Sequence, residues 1–110
     1  PGANDGASGV AVLLEIARQL KADPPPIGVD LILFDGEDYG EEGHLEDYFL
    51  GSRYFAEHAR NYRPRYGILL DMIGDANLDI PREGYSYKYL PQIVDKVWQI
   101  ARSLGYDEFE

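Results

Sequence analysis

Apolar positions along this chain fall into two kinds of run. Over Ala7–Lys21 they recur as Val10, Leu13, Leu14, Ala17 and Leu20, the spacing that gives an α-helix one apolar face. Asp23 and the prolines Pro24–Pro26 stop that helix, because proline brings no amide hydrogen and clashes with the preceding turn. Tyr89–Leu104 repeats the helical pattern with Leu90, Ile93, Val94, Val97, Ile100, Ala101 and Leu104. Pro91 suits its first turn and Gly105 its end. Gly28–Asp35 and Arg65–Ile73 differ in kind: VDLILFD and RYGILLDMI are short and nearly continuous apolar runs, as in strands buried on both faces. Between them Ser52 reads as the cap of a further helix reaching about Arg60, and Pro64 breaks the chain before the second run.

Helix, strand, helix, strand and helix in that order predict an α/β architecture, a three-layer sandwich with a mainly parallel central sheet flanked by helices. Two strands cannot complete such a sheet, so strands before Pro1 and after Glu110 are expected, and residues 1–110 are read as one partial domain, incomplete at both ends. Gly36–Gly51 forms an acidic loop far longer than the usual connection of about 4–6 residues, which marks it as functional. A second loop is expected over Gly74–Tyr87.

Composition narrows the partners. An apolar share of 45% and an aromatic share of 13% are those of a folded chain, despite twenty Asp and Glu against ten Lys and Arg. The resulting charge of -10 repels phosphate backbones and anionic membranes, so nucleic acid is not an expected partner. Cysteine is absent, which removes disulfides, thiolate metal sites and a thiol nucleophile. No run approaches the roughly 20 apolar residues of a transmembrane span, and no basic and apolar leader opens the chain.

In open α/β sheets, ligands gather where loops leave the carboxyl ends of strands. Three acidic places fit that rule: Asp5 in PGANDGASG before the first helix, Glu37 and Asp38 in DGED after the first strand, and Asp71 in LLDMIGD at the end of the second. Carboxylates brought together there repel one another unless a cation sits among them. Oxygen ligands alone suit magnesium or calcium, whereas zinc normally adds histidine nitrogen, so the residues themselves leave the metal open.

Four ordered blocks, PGANDGASGVAVLLEIAR, ILFDGEDYG, LGSRYFA and YGILLDMIGDANL, resemble the zinc aminopeptidase and glutaminyl cyclase family over nearly the whole chain. The resemblance implies a site at the strand ends holding one or two zinc ions. It makes Asp5 the bridging metal ligand, Asp38 a ligand of one zinc, Asp71 a ligand of the other, and Glu37 the general base. Most relatives carry glutamate at Asp38, so a shorter carboxylate implies altered metal affinity with the ligand kept in kind. The family's two histidine ligands, one in a His-x-Asp segment and one near the domain end, match neither His44 nor His58, which are read as exposed loop and helix surface.

The implied substrate is a peptide with a free amino terminus. A hydrolase of this family uses a cation to acidify water while a neighbouring carboxylate takes the proton, and Glu37 has the place for that role. Aminopeptidase activity is therefore the first expectation and glutaminyl cyclisation the alternative, in which Glu37 moves a proton from the substrate amine. The long loop and RYGILLDMIGDANL resemble the cyclase branch, whereas Asp75 and Ala76 stand where many cyclases carry Ala and Pro. A non-catalytic binding domain of the same fold is the third reading. Relatives are often secreted or periplasmic, a lean the chain itself neither supports nor opposes; oligomeric state is not legible.

Other residues are read locally. Asp35 is expected to fix the turn after its strand and Asp75 to bond nearby backbone. Tyr39, Tyr48, Phe49 and Tyr54 either line a pocket or pack, and Trp98 is read as core.

Overall fold

A computed structural model describes residues 2–110. Its helices are α1 (Ala7–Ala22), α2 (Leu50–His58), α3 (Gly84–Tyr89) and α4 (Pro91–Ser103), with a single 3-10 turn at Leu45–Asp47. Backbone proximity divides the chain into two compact units, Pro1–Gly9 with Leu70–Glu110, and Val10–Leu69. No helix among the described residues is long and apolar enough to cross a membrane.

The two long helices form where the periodicities place them. On α1 the more covered positions are Gly9, Leu13, Ile16, Ala17 and Leu20, while Val10 and Leu14 of the expected face are exposed, as are Leu90, Ile100 and Leu104 of the second pattern. α4 begins with Pro91 at its first turn and ends before Gly105, whose φ of +83° only glycine adopts freely. Val94 and Ala101, 7% and 6% exposed, form the apolar centre of the first unit. Trp98 is half-buried beside them, and it anchors the chain end: its indole Nε1–H donates to the Glu110 carbonyl at 2.7 Å, with Phe109 edge-on at 5.4 Å. A parallel bridge between Ile80 and Phe109 completes that anchor.

The expected strands require correction. Among the described residues, neither Gly28–Asp35 nor Arg65–Ile73 takes part in a β-ladder, and the isolated bridge at Ile80 is the extent of strand pairing. Several of their apolar side chains are exposed, Leu33 at 61% and Leu69 at 79%. An apolar run reports a capacity for burial, whereas a strand is made by a neighbour supplying the other half of each hydrogen bond. In the second unit, Gly28–Asp35 is held instead by side chains. Phe34 meets Phe55 edge-on at 5.6 Å, Phe55 meets Tyr62 at 5.5 Å, and the Tyr62 hydroxyl donates to Asp30 Oδ2 at 2.9 Å. That bond to the Asp30 carboxylate pushes the Tyr62 phenol above its ordinary pKa.

Two further differences concern helix starts. α2 begins at Leu50, with Phe49 at its N-cap in a left-handed conformation, and Ser52 lies inside the helix donating to the Phe49 carbonyl at 3.2 Å. α3 occupies part of the expected Gly74–Tyr87 loop, capped by Glu83, whose carboxylate accepts from the amides of Tyr85 at 2.8 Å and Ser86 at 2.6 Å. Glutamate is a poor predictor of a cap, since Ser, Thr, Asp and Asn dominate that position.

Candidate active site

Asp5 sits in the turn over Ala3–Gly6 that leads into α1, and it is exposed. Asp71 is exposed in an irregular segment of the same unit. The two neighbourhoods are tied by side chains: the amide of Gly74 donates to Asn4 Oδ1 at 2.7 Å, and that of Ile73 to Ser8 Oγ at 3.1 Å.

Glu37 and Asp38 share one turn of the second unit, both exposed. Three consecutive amides close the neck of their loop. Phe49 N–H donates to the Glu37 carbonyl at 2.9 Å, Leu50 N–H to Gly36 at 3.0 Å, and Gly51 N–H to Asp35 at 2.9 Å. Two glycines make the approach possible. Gly36 has φ +62°, and a Cβ on Gly51 would lie 2.6 Å from the Asp35 carbonyl oxygen, closer than real atoms come. Asp35 also accepts from the Gly36 amide at 2.8 Å, which fixes the turn as expected, and Asp75 accepts from Asn77 at 3.0 Å.

Each histidine has a partner close to it in sequence. His44 Nδ1 lies 3.3 Å from Glu46 Oε1, and His58 Nδ1 contacts the Tyr54 carbonyl at 2.7 Å while its ring stacks on Tyr54 at 3.9 Å. Both are exposed. The Glu46 carboxyl is held below its ordinary pKa first by its own amide and then by the His44 ring. Of the aromatic residues of this region, Tyr48 meets Phe49 at 6.1 Å, while Tyr39 and Tyr54 are exposed. Among the described residues no three His, Asp or Glu side chains gather as a metal-holding group. Asp5, Asp38 and Asp71 thus fit zinc in donor type, as carboxylate oxygens, without supplying its usual nitrogen.

Comparison with known proteins identifies the relatives. The model of Peptidase family M28 matches residues 1–108. The chain belongs to Peptidase family M28. Aminopeptidase YwaD of Bacillus subtilis (strain 168) is 36% identical over 77 residues, 67% of this chain and 15% of that protein. A glutaminyl cyclase of Bacteroides thetaiotaomicron is 45% identical with a TM-score of 0.88, covering 96% of this chain and 39% of that one. A Zn-dependent exopeptidase of Parabacteroides distasonis ATCC 8503 is 44% identical with a TM-score of 0.90, covering 99% and 40%. The M28 chain therefore spans well under half the length of these relatives.

Asn4 and Ser8 are the residues of this M28 region that sequence reasoning passed over. Asn and Ser in a glycine-rich turn are ordinary turn formers, and nothing local shows that their partners lie some 65 to 70 residues on.

Proposed function

We propose that the whole protein is a zinc-dependent enzyme acting at the free amino terminus of peptides, with cyclisation of an amino-terminal glutamine as its reaction. Supporting this reading are the 45% identity to a glutaminyl cyclase over 96% of this chain and the cyclase-like long loop and RYGILLDMIGDANL segment. In this reading the three-layer sandwich is completed by strands from the rest of the protein, and the carboxyl edge of the sheet gathers Asp5, Asp38 and Asp71 to hold one or two zinc ions.

Zinc, when bound, supplies a Lewis acid that polarises a carbonyl and, in a hydrolase, acidifies water. Glu37 moves the proton. In cyclisation it takes one from the substrate α-amine as that nitrogen bonds to the side-chain amide carbon, and returns it to the amide nitrogen, which leaves as ammonia. The surplus of carboxylates suits a substrate that arrives with an ammonium group.

Hydrolysis of the first peptide bond is the second reading, supported by 44% identity to a leucine aminopeptidase precursor over 98% of this chain and by 36% identity to an aminopeptidase over 77 residues. There Glu37 takes its proton from water and hands it to the leaving amine. The zinc-loaded full-length protein, given a glutaminyl and a leucyl peptide and followed by mass spectrometry, separates the two. Loss of one ammonia from the intact glutaminyl peptide is expected. Release of leucine without any ammonia loss would replace cyclase by peptidase.

A further inference from the structure

The turn that carries Asp5 and the segment after Asp71 are joined by more than proximity. Ser8 Oγ accepts from the Ile73 amide and donates to the Asn4 carbonyl, while Asn4 Oδ1 accepts from the Gly74 amide. One side chain on each side of Asp5 is therefore engaged with consecutive amides two and three residues beyond Asp71. Backbones approach closely here, since a Cβ on Gly9 would fall 2.5 Å from the Leu70 carbonyl oxygen and one on Gly74 2.9 Å from Ser8 Cβ.

Between Asp71 and those amides lies Met72 at φ 50°, a left-handed conformation that costs a non-glycine residue roughly 1–2 kcal/mol. Such a conformation persists only where surroundings over-determine it. No helix or hairpin asks for it at this point. What the turn produces is a pair of successive amides turned to Ser8 and Asn4.

We propose that Asn4 and Ser8 are positioning residues that set the Asp5 carboxylate against the Asp71 carboxylate before any cation arrives. The inference rests on the reading of those two acids as a metal-holding pair. Neither Asn4 nor Ser8 touches the metal; each acts through backbone, as outer hydrogen bonds do in fixing the ligands of a metal site. Both meet those amides as neutral oxygen acceptors, so they order the turn without adding a charge that would compete for the cation.

The test uses the full-length protein. Ser8→Ala and Asn4→Ala are compared with Ser8→Thr, which keeps the hydroxyl, and with Asp5→Asn and Asp71→Asn as ligand controls. Thermal unfolding, exchange of the Ile73 and Gly74 amides, and zinc affinity by chelator competition are measured on each. Expected are folded alanine variants with faster exchange at the two amides and zinc bound about 10- to 100-fold more weakly, the usual worth of an outer-sphere partner, with Ser8→Thr close to the parent. Should Ser8→Ala fail to fold, Asn4→Ala at the half-buried turn carries the comparison. Faster exchange with unchanged zinc affinity, while the ligand controls lose zinc, would reduce the clasp to a structural role and overturn the inference alone. Parent-like zinc affinity in Asp5→Asn and Asp71→Asn would bring down the metal reading and the inference with it.

Discussion

The two acid-bearing loops are held by opposite means. Around Asp5 and Asp71 the ties are side-chain oxygens, Asn4 Oδ1 and Ser8 Oγ, on backbone amides. Around Glu37 and Asp38 they are backbone on backbone, three rungs from residues 49–51 to residues 35–37. A side-chain tie can be removed by one substitution that leaves the chain path free; a backbone tie can be removed only by forcing the path apart. On the proposed reading the first device sets the spacing of two ligands, and the second holds a ligand, Asp38, together with the proton-transfer group, Glu37. Both contain a left-handed non-glycine residue, Met72 in one and Phe49 in the other.

The largest expected effect lies in the rigidly held loop. Glu37→Gln keeps the shape and the backbone rung to Phe49 but removes the group that accepts the proton in the proposed reaction, so on that reading turnover should fall by roughly two to four powers of ten. Zinc content, measured alongside rate in the full-length protein, should not change. Loss of metal together with activity would make Glu37 a ligand, and both loops would then serve only to hold metal.

Next come the close approaches. Gly51→Ala drives a methyl group to 2.6 Å from the Asp35 carbonyl, and Gly9→Ala to 2.5 Å from that of Leu70. Each should cost about 1–3 kcal/mol, the usual penalty of overpacking. Gly9 is the sharper case, because it lies inside α1, where alanine would otherwise gain roughly 1 kcal/mol. Gly84→Ala in α3 meets nothing within 4 Å and serves as the control, with a small gain in denaturant midpoint expected. If Gly51→Ala proves as harmless as the control, the neck is not closed by backbone contact.

These contacts also show where sequence reading succeeds and where it ends. α1 and α4 were legible because helix periodicity is a property of one segment, and Gly105 and Pro91 because their backbone constraints are intrinsic. Asp35 and Asp75 bond amides one and two residues away, so their roles were legible too. Gly28–Asp35 and Arg65–Ile73 form no ladder among the described residues, because pairing depends on a neighbour that an apolar pattern does not name. The four acids were singled out by the strand-end rule and by resemblance of motif, whereas the bonds from Asn4 and Ser8 span 70 and 65 residues and leave no local trace. Ser52 was misread as a cap for a related reason: the cap is Phe49, and a bulky residue in a left-handed conformation runs against propensity.

A smaller effect asks whether both left-handed residues are held under strain. Asn tolerates that conformation, so Met72→Asn should stabilise by up to about 1 kcal/mol, a few degrees in thermal midpoint. Met72 is 58% exposed and gives up little burial. Phe49→Asn should gain less, because it also loses the contact with Tyr48. Destabilisation by Met72→Asn would show that the turn after Asp71 depends on the methionine side chain and not on the amides it presents.

The smallest expected effect is in pH, and it separates the clasp from the capped helix in the same unit. Glu83 has its pKa held below the ordinary 4.5 first by the Tyr85 amide, then by the Ser86 hydroxyl and amide. A depressed folded-state value means that the cap contributes fully above the unfolded value and is lost as pH falls through the folded one, so α3 should loosen only below about pH 4.5. Ser8 Oγ and Asn4 Oδ1 do not titrate in that range. Acidification monitored by amide exchange in the metal-free protein should therefore release Tyr85 and Ser86 while Ile73 and Gly74 keep their protection. Parallel loss at all four amides would mean that the turn after Asp71 takes its order from neighbouring carboxylates, and the neutral clasp would no longer account for it.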